Sequence, residues 1–513
     1  MHISFEYSHA MTRPHILEPA PKSQNMRLIK VGTFAMTEFG DEPPPYAILS
    51  HTWEPEGEVT FQDFQRGPEH FRRMRGFSKI EGCSARAFED GYRWIWLDTC
   101  CIDKSSSSEL SEAINCMYRW YRESSVCYAL LSDLEPLSQR ERDRLKEQQP
   151  NETNEPQRRF MSCRWFTRGW TLQELIAPSN IKFYARDWSF IGVRSELVCA
   201  IHWITKIPVT VLQGEPPSRW LACQKMSWAA LRETTRREDR AYCLMGLFEV
   251  FMPLLYGEGD RAFHRLQEEI LRRTEDYTLL AWTSNPIKHG TQSGFFAASP
   301  ADFTTLMTSS GNTWEIVQPL FKSQEKITQI QWQDLNASGN KYGKVISGPH
   351  DQTTIRDAHS RQFQLEPPTL TSRGLLATLL IKWDSYMTSF AAWIFTAAPI
   401  SAPGQTTDTL AGICVICYPD PSIYTQDSIA TIRSRDTITA LRYKTDSLHC
   451  APLAEVLGEF EPVKVYLNTV TANEPLHHPV NLNWGAASDQ GSPGWDASDQ
   501  DQMGPKNYKD SHL

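Results

Sequence analysis

Tyr46-Ala-Ile-Leu-Ser-His-Thr-Trp53, Trp94-Ile-Trp-Leu-Asp-Thr-Cys-Cys-Ile-Asp103 and Arg168-Gly-Trp-Thr-Leu-Gln-Glu-Leu-Ile-Ala-Pro178 decide the fold. The first two begin as apolar β-type runs and end in polar residues. Together with Val126-Cys-Tyr-Ala-Leu-Leu131 and Ile181-Lys-Phe-Tyr184 they alternate with helix-type segments. Such runs separated by helices predict an open parallel sheet, and the fully apolar Trp94 to Leu97 a central buried strand. In such a sheet, ligands bind in the crevice at the carboxyl ends of the strands. Ser50, His51, Asp98 and Asp103 fall at those ends and Trp53 follows at once, so these five are candidate ligand-binding residues.

Outward from this core, Met26-Arg-Leu-Ile-Lys-Val31 marks the start of folded structure, and residues 68–92 supply the first helical crossover. Leu110, Ile114, Met117 and Tyr121 lie at i, i+4, i+7 and i+11, one face of a helix whose N-cap comes from the serines at 105–108. Pro136 to Arg159 holds only Leu137 and Leu145 as aliphatics, which predicts an exposed insertion. Helix signals resume at Trp165, with Leu172, Leu175 and Ile176 on one stripe, and Pro178 stops them. Residues 194–275 predict a helical annex, with Phe263, Leu266 and Ile270 on one face. After Trp282 the pattern becomes short runs such as Leu375 to Ile381, Gly412 to Tyr418 and Val463 to Leu467 between Gly, Pro, Ser and Asp, which predicts a β-rich domain.

At 513 residues the chain exceeds one ordinary domain, and most of its 17 tryptophans precede residue 283, where the denser core is expected. A net charge of −9 leaves no basic footprint for nucleic acid. The longest apolar run, Phe390 to Ala398, is about half of what a membrane helix requires. The first 25 residues lack the apolar core of a signal peptide and carry Pro14, Pro19 and Pro21, so a disordered extension and a cytoplasmic protein with reduced thiols are expected. Cys414 and Cys417 form a lone Cys-x-x-Cys with no second pair to complete a zinc site, and packing is the expected role. No metal site is anticipated. Beyond about residue 470 the chain turns polar and repeats Ala-Ser-Asp-Gln at 487–490 and 497–500, as in a disordered tail.

Five ordered blocks resemble the fungal heterokaryon-incompatibility (HET) domain: Tyr46 to Trp53, Trp96 to Asp103, Glu112-Ala-Ile-Asn115, Met117-Tyr-Arg-Trp-Tyr121 and Arg168 to Leu175. Arg237 to Leu247, Pro253 to Gly259 and Ala262 to Gln267 are similar to the region that follows many such domains. The resemblance implies non-self recognition between cells, ending in regulated cell death. Protein partners are implied, through self-association or another incompatibility protein. Larger relatives append a nucleotide-binding module and repeats; no Gly-x-x-x-x-Gly-Lys-Ser/Thr loop occurs here.

A more distant likeness is to the Toll/interleukin-receptor (TIR) fold. It implies a TIR-like doubly wound parallel sheet at 26–190, to which the pattern of the chain adds a helical extension at 191–282, a β-rich domain at 283–470 and a disordered tail from 471. In TIR domains that cleave NAD the working residue is a glutamate on the third helix, and Glu174 is the matching position. That resemblance makes Glu174 the candidate catalytic residue and NAD a candidate substrate, with no cofactor required. The TIR pattern has Trp-Cys ahead of its glutamate, where this chain has Trp170-Thr171. The competing roles are structural. Glu174 could pair with Arg168, His51 could be an interior histidine, and Asp98 and Asp103 could cap turns. A thiol nucleophile from Cys100 or Cys101 with His51 is a further alternative.

Overall fold

The computed structural model describes residues 25–304 apart from 41, 55, 148–154, 275 and 284–291, and beyond them the backbone of separate β-strands between 314 and 467. The expected disordered extension before residue 25 and the tail after 470 lie outside the described residues.

The four apolar runs form strands β3 (Ala47–His51), β4 (Trp94–Trp96), β5 (Val126–Leu130) and β6 (Ile181–Tyr184). β3 pairs in parallel with both β4 and β5, and β5 pairs in parallel with β6. Every residue of β3 and β5 is buried, as central strands covered on both faces must be. Three antiparallel strands complete a seven-stranded sheet: β1 (Met26–Lys30) and β2 (Met36–Phe39) beyond β4, and β7 (Phe190–Val193) beyond β6. The sheet is therefore mixed, where a purely parallel one was expected, and the boundary placed at 190 falls inside β7.

Within the parallel part the spatial order is β4-β3-β5-β6. The chain steps one way from β3 to β4 and then back across β3 to β5, which places a topological switch point beside β3. The first crossover is built from α1 (Phe61–Gln65), α2 (Pro68–Phe71) and α3 (Phe77–Glu89), and the return from α4 (Asp98–Cys101) and α5 (Ser107–Glu123). Ser106 caps α5, its side chain accepting from the Glu109 amide at 3.3 Å, and Ile114, Met117 and Tyr121 are buried as their spacing predicts.

The segment expected to be an exposed insertion instead forms α6 (Gln139–Leu145) and α7 (Glu155–Met161). Leu137, Leu145 and Phe160 are all buried. A few anchors at helix ends suffice to seat a polar segment whose other residues stay in water. Before β6, a 3-10 turn at Arg164–Thr167 precedes α8 (Thr171–Ile176), which is only six residues long. The annex contains α9 (Val198–Thr205), α10 (Val209–Leu212), α11 (Ala222–Ala229), α12 (Asp239–Tyr242) and α13 (Arg261–Arg273), with Phe263, Leu266 and Ile270 buried.

The annex blocks Arg237 to Leu247 and Pro253 to Gly259 are locked together. The Glu238 carboxylate accepts from the amides of Gly257 and Gly259 at 2.8 and 3.0 Å, and the Tyr256 hydroxyl donates to Asp239 at 2.9 Å. Both glycines have positive φ, at 107° and 61°, which turns their amides toward one acceptor. Among the described residues after 304 every regular element is a strand, and a nine-stranded sheet includes Gly374–Trp383, Phe390–Pro399, Ala411–Pro419 and Glu461–Leu467. The β-rich pattern expected there is present. Cys417 is buried.

Candidate functional site

Side chains alternate across a strand, so Ser50 and His51 at the end of β3 face opposite sides of the sheet. Ser50 faces α5 and α8. Its hydroxyl accepts the Trp165 indole N–H at 2.7 Å and donates its own proton to Glu174. Trp165 is almost wholly buried and stacks edge-on against Phe166 and Phe183. That packing fixes the indole, the indole occupies the serine oxygen, and the hydroxyl proton is left to point at the carboxyl group.

Glu174 is 8% exposed. Burial, with the Asp98 charge adding to it, pushes its carboxyl up to about 8, against the opposing pull of Ser50, Tyr121 and Arg232. At neutral pH it is largely a neutral acid that becomes a carboxylate only when a positive charge enters or the pH rises. The structural alternative of a pair with Arg168 is not what forms, because the Arg168 guanidinium donates to the Thr235 hydroxyl at 3.0 Å.

His51 faces α3. Its side chain is 1% exposed, and its Nε2 stands 3.8 Å from a Glu58 oxygen. Neither ring nitrogen has a hydrogen-bond partner among the described residues. Burial pulls its pKa below the usual histidine range, with Asp98 and Glu58 opposing and Lys79 and Lys104 assisting. Glu58 is bridged to Lys79, whose ammonium also donates to the Thr52 carbonyl at 3.2 Å. His51 is therefore a neutral imidazole at the floor of a charged cluster.

Asp98, at the start of α4, carries a charge that opposes ionisation of Glu174 and favours the protonated form of His51. It accepts the Trp53 indole N–H at 3.0 Å and the Lys104 ammonium at 3.4 Å. Lys104 in turn lies 3.3 Å from the centroid of the Trp53 ring, a cation–π contact at the rim. Trp53 itself is 42% exposed. Asp103 does not join them. It accepts from the Ser105 amide at 2.9 Å and from the Gln62 side chain at 2.6 Å, and the Ser105 hydroxyl holds its carboxyl below the usual range. It caps the turn between α4 and α5. Burial raises the Cys100 thiol well above its usual pKa, which removes it as a nucleophile at neutral pH.

Ser50 and Glu174 thus meet on one face of β3, His51 lies on the other beside Glu58 and Lys79, and Trp53 joins Asp98 and Lys104. Sequence reasoning missed Trp165, Tyr121, Glu58, Lys79, Lys104 and Arg232. Among the described residues no group of three or more His, Cys, Asp or Glu could hold a metal ion.

Gly169 sets the approach of the annex to this site. Its amide donates to the Glu233 carbonyl at 2.8 Å, and the Glu233 amide returns to the Thr167 carbonyl at 2.6 Å. A Cβ on Gly169 would lie 2.4 Å from the Thr234 methyl group and 3.2 Å from the Cys243 sulfur. Gly169→Ala is expected to destabilise the protein by about 1–3 kcal/mol through overpacking. Urea unfolding checks it, and an unchanged midpoint would mean that the annex segment around Glu233 and Thr234 yields freely.

The family described as "Heterokaryon incompatibility protein (HET)" matches residues 46–174, and a domain of unknown function (DUF8212) matches residues 261–380. Vegetative incompatibility protein HET-E-1 of Podospora anserina is 46% identical over 231 residues, covering 44% of this chain. The chain spans 16% of that relative's length. No solved structure matches. No helix among the described residues is long and apolar enough to cross a membrane.

Proposed function

We infer that this chain, which carries a heterokaryon-incompatibility domain over residues 46–174, acts in fungal vegetative incompatibility by triggering regulated cell death. The observation that carries this reading is the 46% identity to a vegetative incompatibility protein over 231 residues. The module works in the cytoplasm through protein partners, by self-association or with another incompatibility protein. The half-exposed Trp53 at the rim is the kind of aromatic that anchors such an interface. Expression of the full chain in a fungal host is expected to arrest growth. Trp53→Ala is expected to leave circular dichroism unchanged while weakening both self-association and killing. Full killing by a folded Trp53→Ala would remove this rim from the interface.

Buried Glu174 supports a second reading, an NAD-cleaving hydrolase. The four parallel strands, with the glutamate on the helix before the last of them, support the TIR-like arrangement this reading needs. As the bond between the ribose carbon and the nicotinamide nitrogen breaks, the electron pair leaves with neutral nicotinamide and positive charge develops on the ribose. A desolvated carboxylate stabilises that charge strongly, and water completes the hydrolysis. The ionised form does this work, so nicotinamide release should rise with pH through a midpoint near 8 to a plateau above about 9. No release of nicotinamide by the folded full chain at pH 9 would leave assembly as the mechanism.

A further inference from the structure

We propose that Arg232 is the counter-charge and positioning residue of the Glu174 site, so that the working site is assembled from two separated stretches of chain. Arg232 lies outside the 46–174 match, in the segment that follows α11. Its Nη1 donates to the Arg168 carbonyl and to the Thr171 hydroxyl, both at 2.9 Å. Thr171 opens α8 and stands one turn before Glu174, on the same helix face. The guanidinium therefore grips the start of the helix that carries the carboxylate.

Two further observations tie it to charge as well as to shape. Nη2 of Arg232 is buried and has no hydrogen-bond partner among the described residues, so one face of the cation is unspent. The neighbouring residue makes the reciprocal backbone bonds with Thr167 and Gly169, in a parallel bridge between Arg168 and Glu233, which fixes Arg232 in place. Burial pulls the guanidinium down to about 10, yet leaves it charged at neutral pH. Acting on Glu174 are Ser50 on β3, Asp98 on α4, Tyr121 on α5, the Cys127 thiol on β5 and Arg232, the one cation among these; Arg194, just after β7, donates to the Leu175 carbonyl at 2.7 Å and bears on Cys127. Arg232 opposes Asp98 and keeps ionisation of Glu174 within reach.

The inference rests on Glu174 being a working carboxylate, but its test does not need turnover. Full-length Arg232→Gln removes the charge while keeping a shorter polar side chain with an amide donor; Arg232→Lys keeps the charge. Unfolding by urea is followed from pH 5 to pH 10 for each, alone and combined with Glu174→Gln. Arg232→Gln is expected to move the upper limit of the Glu174-dependent window up by about one pH unit, a tenfold weaker ionisation. Glu174→Gln should erase that shift, and Arg232→Lys should show little of it. An unchanged window in Arg232→Gln, or a shift that survives Glu174→Gln, overturns the proposal. If Arg232→Gln does not fold, Arg232→Lys decides: a window like that of the unsubstituted chain supports the counter-charge, and one moved up by a full unit refutes it. A shift without nicotinamide release would leave the inference standing and the hydrolase reading fallen.

Discussion

Glu174→Gln is expected to make the protein more stable at pH 9 than the unsubstituted chain while abolishing the proposed NAD cleavage. In the folded state the carboxyl titrates at about 8, whereas an unfolded chain releases the same proton at about 4.5. Between those values the folded state holds a proton that the unfolded state has lost, so stability falls as pH rises through the window and levels off above it. Below about 4.5 both states are protonated and the penalty vanishes. Glutamine cannot ionise and keeps a carbonyl oxygen to accept the Ser50 hydroxyl. The advantage of the variant should therefore grow with pH, reaching on the order of 4–5 kcal/mol above pH 8. Nicotinamide release should fall by about 10² or more if the carboxylate stabilises developing charge. Parallel stability curves for the two proteins from pH 5 to pH 10 would mean that Glu174 titrates normally and that its burial has no electrostatic cost. Intact killing by the folded variant, with the stability gain present, would assign the strained carboxyl to architecture alone.

Much of this arrangement is legible from the sequence because it depends on short-range patterns. The runs ending at Ser50, Leu97 and Leu131 are apolar on both faces, as strands of a covered, parallel sheet are, and the run ending at Tyr184 departs from that only at Lys182. The antiparallel edges were not legible, since Met36-Thr-Glu-Phe39 is short and half polar, as edge strands usually are, and carries little periodic signal. The two leucines of the 136–159 stretch look too few for a core, yet each anchors a helix end against residues from elsewhere in the chain. Consecutive positions such as Ser50 and His51 cannot face one side of a sheet, so their division between Glu174 and the Lys79–Glu58 pair follows from strand geometry alone. What the sequence hides is long-range. Nothing in the pattern around Trp165 says that its indole meets Ser50, and nothing near Arg232 points to Thr171.

The largest loss of stability is expected from Trp165→Ala. The side chain is 1% exposed and touches Phe166 and Phe183, which lies on the central sheet, so truncation leaves a cavity between the sheet and the turn that precedes α8. Removing a buried tryptophan of this kind costs about 3–5 kcal/mol, a large part of a typical domain's stability. Trp165→Phe separates the packing from the hydrogen bond. It fills most of the volume but leaves the Ser50 oxygen without its 2.7 Å donor, at an expected cost of about 1–3 kcal/mol. With that lone pair free, the Ser50 hydroxyl no longer has a single orientation toward Glu174. The carboxylate loses part of the hydrogen bonding that favours it, so its pKa should climb further above 8. Urea unfolding at pH 6 reads the packing term while Glu174 is neutral, and the same measurement at pH 9 adds the electrostatic one. If Trp165→Phe is as damaging at pH 6 as at pH 9, the indole N–H acts only on the fold; a greater loss at pH 9 makes Trp165 the residue that holds Ser50, and through it Glu174, ready to ionise.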